Sequence, residues 1–218
     1  MSEVRVHNFA ISLDGFGTGE PQTRETPFGH AGERLHEWMF KTRAWQGPGG
    51  SEGPDHAFAA RNEQGIGAEI MGANKFGPPG WQDDPDWKGW WGPNPPFHTP
   101  TYVLTHRPRP SIDMDGGTTY HFLNAAPQEA LEQAREAAGD RDVRIGGGAS
   151  IIRDFVAAGL VDHLHIVQVP ILLGRGSRVW DGLEALEETY DIETTSTASG
   201  VTHLTLTKRR PRPVEQAE

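Results

Sequence analysis

The sequence predicts an α/β domain built on a mixed sheet, and three observations carry that prediction. Strand-like and helix-like stretches alternate between Thr101 and Val156, glycines follow the ends of several apolar runs, and Ser199-Gly200 separates two strand-like runs as a hairpin signal.

The elements follow in chain order. Val4, Val6, Phe9, Ile11 and Leu13 stand among polar residues in a β-leaning run over 3–13 that stops at the turn signal Asp14-Gly15. From Glu33 to Arg43, Leu35, Trp38, Met39 and Phe40 recur at spacings of three and four, which predicts an amphipathic helix. Gln46 to Asp55 is rich in Gly, Pro and Ser and reads as a loop; residues 56–65 read as a short helix. Ala68-Glu69-Ile70-Met71 before Gly72 reads as a buried strand. Gly77 to Pro100 holds Pro78-Pro79, Pro85, Pro93 and Pro95-Pro96 together with Trp81, Trp87, Trp90 and Trp91, and no regular element accommodates such a run. Strands are expected at Thr101–Thr105 and Thr118–Leu123. Pro127 suits a first helical position, with Leu131, Ala134 and Ala138 on one face and Gly139 past the end. Val143 to Ile145 reads as a strand, Gly146-Gly147-Gly148 as a turn, and Ile151, Ile152, Phe155 and Val156 as one face of a helix closed by Gly159. His163 to Leu173 is apolar and β-branched, and Pro170 within it predicts an edge position or a bulge. Residues 188–197 and 201–207 form the hairpin. The expected organisation is one domain over 1–207 and a disordered tail over 208–218.

Composition narrows function. Thirty Asp and Glu against 20 Lys and Arg give a net charge of −10 over 218 residues, a field that repels nucleic acid and anionic membranes, so any phosphate site must be built locally. No apolar run has the length of a membrane span and the N-terminus lacks the pattern of a signal peptide, so a cytoplasmic location is expected. The absence of Cys excludes disulfides, thiolate nucleophiles and Cys-ligated metal centres. His163 and His165 share one face of a strand beside Asp162 but lack a third ligand at suitable spacing, so no metal site is expected.

The run Arg144-Ile145-Gly146-Gly147-Gly148-Ala149-Ser150-Ile151-Ile152 passes from strand through three glycines into a helix. Such a turn lets backbone approach a ligand closely and offers helix N–H groups to a pyrophosphate, although it matches neither G-x-G-x-x-G nor the P-loop, and a tight structural turn explains it equally.

Together with this run, Ser12-Leu13-Asp14-Gly15, Ile70-Met71-Gly72 with Phe76 and Val103-Leu104-Thr105 stand in the order seen in dihydrofolate reductase-like proteins. The downstream Gly159-Leu160-Val161-Asp162 and Pro170-Ile171-Leu172-Leu173-Gly174 resemble the reductase domain of bifunctional riboflavin-biosynthesis deaminase/reductases. The resemblance spans about residues 3–207. It implies a three-layer α/β/α fold with a mixed, mainly parallel sheet, NADPH as hydride donor to a small pteridine-, pyrimidine- or carbonyl-like substrate, and a homodimer. Carried over by position, the pyrophosphate site falls on Gly146, Gly147, Gly148, Ala149, Ser150 and Ile151. The turn at Met71, Gly72, Asn74 and Lys75 adds phosphate contacts, and the adenosine 2′-phosphate falls near Thr105 and Arg107. Asp14 would stand at the substrate mouth, and Glu37 on the first helix is the candidate acid. Ala73 replaces an Arg common in the family after Met-Gly, and Ile145 stands where riboflavin-type reductases typically have Glu before the glycines. A flavin-binding reductase and a non-catalytic nucleotide-binding dimer are the alternatives. The indole-rich loop is read as a wall of the substrate pocket, as packing on its own body or as a subunit interface.

Overall fold

The structure is a computed structural model that describes residues 2–209. In chain order the strands and helices are β1 (Val4–Ser12), β2 (Phe16–Thr18), α1 (Glu37–Phe40), α2 (Arg43–Gln46), α3 (Pro54–Ala59), β3 (Ile66–Gly72), α4 (Ala73–Phe76), β4 (Pro100–Leu104), β5 (Ile112–Asp113), β6 (Thr119–Leu123), α5 (Pro127–Ala138), β7 (Asp142–Gly147), α6 (Ala149–Ala157), β8 (His163–Val169), β9 (Ser177–Arg178), β10 (Tyr190–Ser196) and β11 (Thr202–Lys208).

Nine strands form one sheet in the order β10-β11-β8-β1-β7-β3-β4-β6-β5, and β2 and β9 form a small antiparallel pair. The six strands from β8 to β6 are mutually parallel; at one edge β11 pairs antiparallel with β8 and β10 antiparallel with β11, and at the other β5 pairs antiparallel with β6. The C-terminal ends of β1, β7, β3 and β4 therefore lie side by side along one rim, the position where open parallel sheets bind ligands.

Side-chain alternation divides the core. Val4, Val6, Ala68, Ile70, Val143, Ile145, Leu164 and Ile166 face α5 and α6 in one cluster. The opposite face carries two separate clusters. One joins Leu35, Trp38 and Ala59 to Ala10, Val167 and Val169; the other joins Phe76, Trp81 and Phe97 to Met71, Val103, Tyr120 and Phe122. A polar strip runs between them.

The third layer departs from the expected helix over 33–43. A 3-10 stretch over Gly29–Leu35 is interrupted at Gly32 (φ 54°), α1 spans four residues, and Thr42 is extended (ψ 156°) before α2 begins. Thr42 is buried, donates its hydroxyl to the Met39 carbonyl and pairs with Ser51, so tertiary contacts override the helical period there. Leu35 and Trp38 are nonetheless buried. Likewise α3 starts at Pro54, earlier than the expected helix over 56–65. β8 is an interior strand, not an edge one, because Pro170 falls one residue beyond Val169 and its missing N–H costs the ladder nothing. β7 continues through Gly147, so the glycine turn begins at Gly148. The boundary of the tail also moves: Lys208 closes β11 and Arg209 binds Asp191 and the Glu188 carbonyl, while the rest of the expected tail lies outside the described residues.

Histidines line the sheet beneath α3. The Asn8 N–H donates to His165 Nδ1 (3.2 Å), His165 Nε2 and His203 Nδ1 are 3.0 Å apart, and His203 Nε2 lies 2.9 Å from Asp55 Oδ1. Phe58 stacks on both rings. Burial pushes His165 down to about 3, with the neighbouring His203 adding to it. His163 sits instead beside Glu3, and the described residues contain no cluster of three or more groups able to hold a metal ion. None of the described helices is long and apolar enough to cross a membrane.

Candidate active site

The polar strip is built on two neighbouring strands. Glu69 on β3 and Arg144 on β7 are register partners, and both are buried. Arg144 donates through Nε (2.7 Å) and Nη2 to Glu69 Oε2, and through Nη1 to the Asn62 carbonyl (2.7 Å). Lys75 on α4 folds back over the same carboxylate: its Nζ donates to Glu69 Oε1 (3.0 Å) and to the Gly146 carbonyl (2.7 Å). Burial disfavours the Glu69 charge, but Arg144 and then Lys75 outweigh it and hold the carboxyl below its ordinary range. Burial likewise lowers Lys75, and the attraction of Glu69 only partly restores it. The Phe97 ring lies 5.6 Å from Lys75 Nζ and 5.9 Å from Arg144 Cζ.

Gly146 is required by this cluster, since a Cβ there would lie 2.1 Å from Glu69 Oε1. Just beyond, the Gly147–Gly148 peptide is cis, Gly147 has φ 109°, and Gly148 caps α6. No side chain caps α6, and a Cβ on Gly148 would meet nothing within 4 Å, so the first-turn N–H groups of Ala149, Ser150 and Ile151 lie beside open space. Gly72 fits against this turn, where a Cβ would come 2.6 Å from Ile151. The turns after β3 and β7 thus meet at one point of the rim. Met71 itself is buried in the core, whereas Asn74 is exposed.

The remaining candidates lie apart from Glu69. Asp14 accepts from the Ser12 hydroxyl (2.5 Å) and from the backbone N–H groups of Leu173 (3.1 Å) and Gly174 (2.7 Å). Those bonds, the Ser12 one first, lower its carboxyl to about 2, so at neutral pH it ties the β1 turn to the 171–174 segment and has no proton to donate. Glu37 is exposed on α1. Its neighbour His36 faces inward instead, between the rings of Phe28 and Phe40, with Nδ1 buried and unpartnered. Burial lowers His36 to about 4, and the Lys75 charge adds to the effect. Thr105 is buried at the end of β4 and accepts the Arg107 N–H (3.2 Å), while the Arg107 guanidinium is exposed and paired with Asp83.

Residues 77–100 pack on their own body. Trp81 and Trp87 donate their indole N–H groups to the carbonyls of Ala73 (3.1 Å) and Phe76 (3.2 Å). Arg109 lies over Phe122, Trp81 and Phe76 at 4.8, 5.0 and 5.6 Å and binds the carbonyls of Asp84 and Trp87. The sequence offers His36 beside Glu37 on the first helix, but the Glu69–Arg144 pair is not foreseen from it. Its one available signal was a carboxylate in the otherwise apolar run Ala68-Glu69-Ile70-Met71.

The motif order finds its counterpart in known proteins. The family described as the RibD C-terminal domain matches residues 5–207. The chain belongs to this family. A riboflavin biosynthesis protein RibD from Corynebacterium ammoniagenes is 33% identical over 85 residues, 38% of this chain and 25% of that protein, so the chain matches only a quarter of that relative's length. Among solved structures, a riboflavin biosynthesis protein from Shewanella sp. PV-4 is similar with TM-score 0.57 at 19% identity, over 96% of this chain and all of that one. The Thermotoga maritima deaminase/5-amino-6-(5-phosphoribosylamino)uracil reductase follows with TM-score 0.56 at 12% identity, over 95% of this chain and 57% of that one. Enterococcus faecalis dihydrofolate reductase, solved with NADP(H), aligns with TM-score 0.50 at 12% identity, over 96% of this chain and 97% of that one. These likenesses establish the dihydrofolate reductase-like fold, and membership of the RibD C-terminal family is consistent with an oxidoreductase.

Proposed function

We propose that this member of the RibD C-terminal family is an NADPH-dependent reductase of a small pteridine-, pyrimidine- or carbonyl-like substrate. The observation that supports it most is the open, uncapped start of α6 beside Gly148, meeting the Gly72 turn at the rim of the parallel strands. These features fit a dinucleotide: the backbone is bare where a pyrophosphate would approach, and a nine-residue helix aims its free N–H groups there. Ala149, Ser150 and Ile151 would hold the pyrophosphate, the Gly72–Asn74 backbone would add donors, and Thr105 and Arg107 would flank a 2′-phosphate. Arg107 then exchanges or shares its exposed pairing with Asp83. NADPH when bound supplies a hydride; the chain's part is to hold the two reactants in near-attack geometry and to exclude water between the two apolar clusters.

Titration calorimetry with NADPH and, separately, NADH tests this reading. Micromolar binding with a preference for NADPH is expected, and an acceptor screen with pteridines, pyrimidines and ketones then follows. If neither nucleotide binds, the reductase reading fails.

A further inference from the structure

We propose that Lys75 is a catalytic residue of this site: held from below by Glu69 and the Gly146 carbonyl, its ammonium group hydrogen-bonds to the acceptor heteroatom of the substrate and protonates it. The proposal rests on the reductase reading and adds the proton source.

Of the three charged groups in the polar strip, only Lys75 combines an unused donor with access. Arg144 is 6% exposed and has its Nε and both terminal nitrogens engaged, and Glu69 is 1% exposed and is an acceptor only. Lys75 is 26% exposed, and an ammonium has three N–H bonds, of which two point inward to Glu69 Oε1 and Gly146 O. The third remains for a ligand. Because Gly146 stands two residues before the cap of α6, this N–H lies next to the turn that would carry the dinucleotide. Asp14 is committed to backbone donors and Glu69 is held ionised, so neither carboxyl has the proton that reduction requires, and Glu37 is exposed on α1. The lowered affinity of Lys75 for its proton suits the task, since a general acid works best with a pKa nearer neutrality.

A bound NADPH would supply the hydride and be left as NADP+; the carbon of a C=N or C=O bond would gain the hydride while the π pair moves onto nitrogen or oxygen. Lys75 Nζ forms an N–H or O–H bond there while its own N–H bond breaks and the pair stays on Nζ. Water then reprotonates the amine. Glu69 is a positioning residue: it fixes the ammonium and keeps it charged between turnovers.

The chain has four lysines, Lys41, Lys75, Lys88 and Lys208, so each is followed separately by mass spectrometry during acetylation with an N-hydroxysuccinimide acetate. Lys75 is expected to react in the folded protein, and saturating NADPH is expected to slow Lys75 alone by at least fivefold. A Lys75 that stays unmodified while the other three react is a sealed structural partner, and the proposal is overturned. Reaction at one rate with and without bound NADPH overturns it too. NADPH binding is read independently by calorimetry: if Lys75 reacts but no nucleotide binds, the reductase reading fails and Lys75 stands as an accessible lysine of the cleft. A Lys75→Met variant is expected to keep NADPH affinity within twofold. A loss of tenfold or more would make Lys75 a phosphate ligand and overturn its role as proton source.

Discussion

Lowering the pH from 7 to 5 should strip this protein of much of its stability, because three histidines, His165 buried and His7 and His36 half-buried, are held in their neutral form. Burial pushes His7 to about 4, against a partly compensating bond to the Asn62 carbonyl, His36 to about 4 and His165 to about 3. Above the unfolded value of about 6.5, folded and unfolded imidazoles are both neutral and stability does not depend on them. Below it only the unfolded chain gains the protons, so stability falls until the pH approaches the folded values. At pH 5 this amounts to about 2 kcal/mol for each histidine and about 6 kcal/mol for the three. A domain is stable by about 5–15 kcal/mol in total, so the loss is a large share. Urea unfolding followed by tryptophan fluorescence measures it directly: with a slope of about 2–3 kcal/mol per molar, the midpoint should drop by about 2–3 M between pH 7 and pH 5. His165→Gln should remove about a third of that drop. A midpoint that is the same at both pH values would refute the burial argument. Below pH 4.5 a second loss sets in, because Glu69, Asp55 and Asp14 all hold their protons less tightly folded than unfolded.

Other expectations follow from the site. Ser150→Asp places a negative charge at the uncapped start of α6 and should weaken NADPH binding at least tenfold, about 1.4 kcal/mol, by calorimetry. Glu69→Ala leaves Arg144 buried and without its carboxylate, and should cost about 3–5 kcal/mol in a denaturant titration. Gly146→Ala forces a methyl against the Glu69 carboxylate, which Arg144 and Lys75 prevent from moving away, and should cost about 1–3 kcal/mol. An unchanged midpoint in either variant would show that the Glu69 cluster relaxes freely.

Local physics was enough for the frame. Pro127 with Gly139, the buried run before Gly72, the strand leading into Gly146-Gly147-Gly148 and the hairpin at Ser199-Gly200 each combine hydrophobic period with a turn residue in one stretch of chain, and each is found as an element. The same local agreement misled at 33–43, where a helical stripe is real but Thr42 is drawn into an extended pairing by Ser51, a partner the period does not encode.

The amino-acid sequence by itself determined the α/β class, the positions of the glycine turns and the family to which the chain belongs, since these rest on short-range spacing and motif order. Only the tertiary structure decided what the charges do. Lys75 looks like a phosphate ligand and Asp14 like a substrate contact when read along the chain; in space Lys75 points back onto Glu69 and Gly146, and Asp14 ties down the Leu173-Gly174 backbone. Pairings across 71 and 160 residues have no local signature, because what selects them is the cost of leaving a buried charge or donor without a partner.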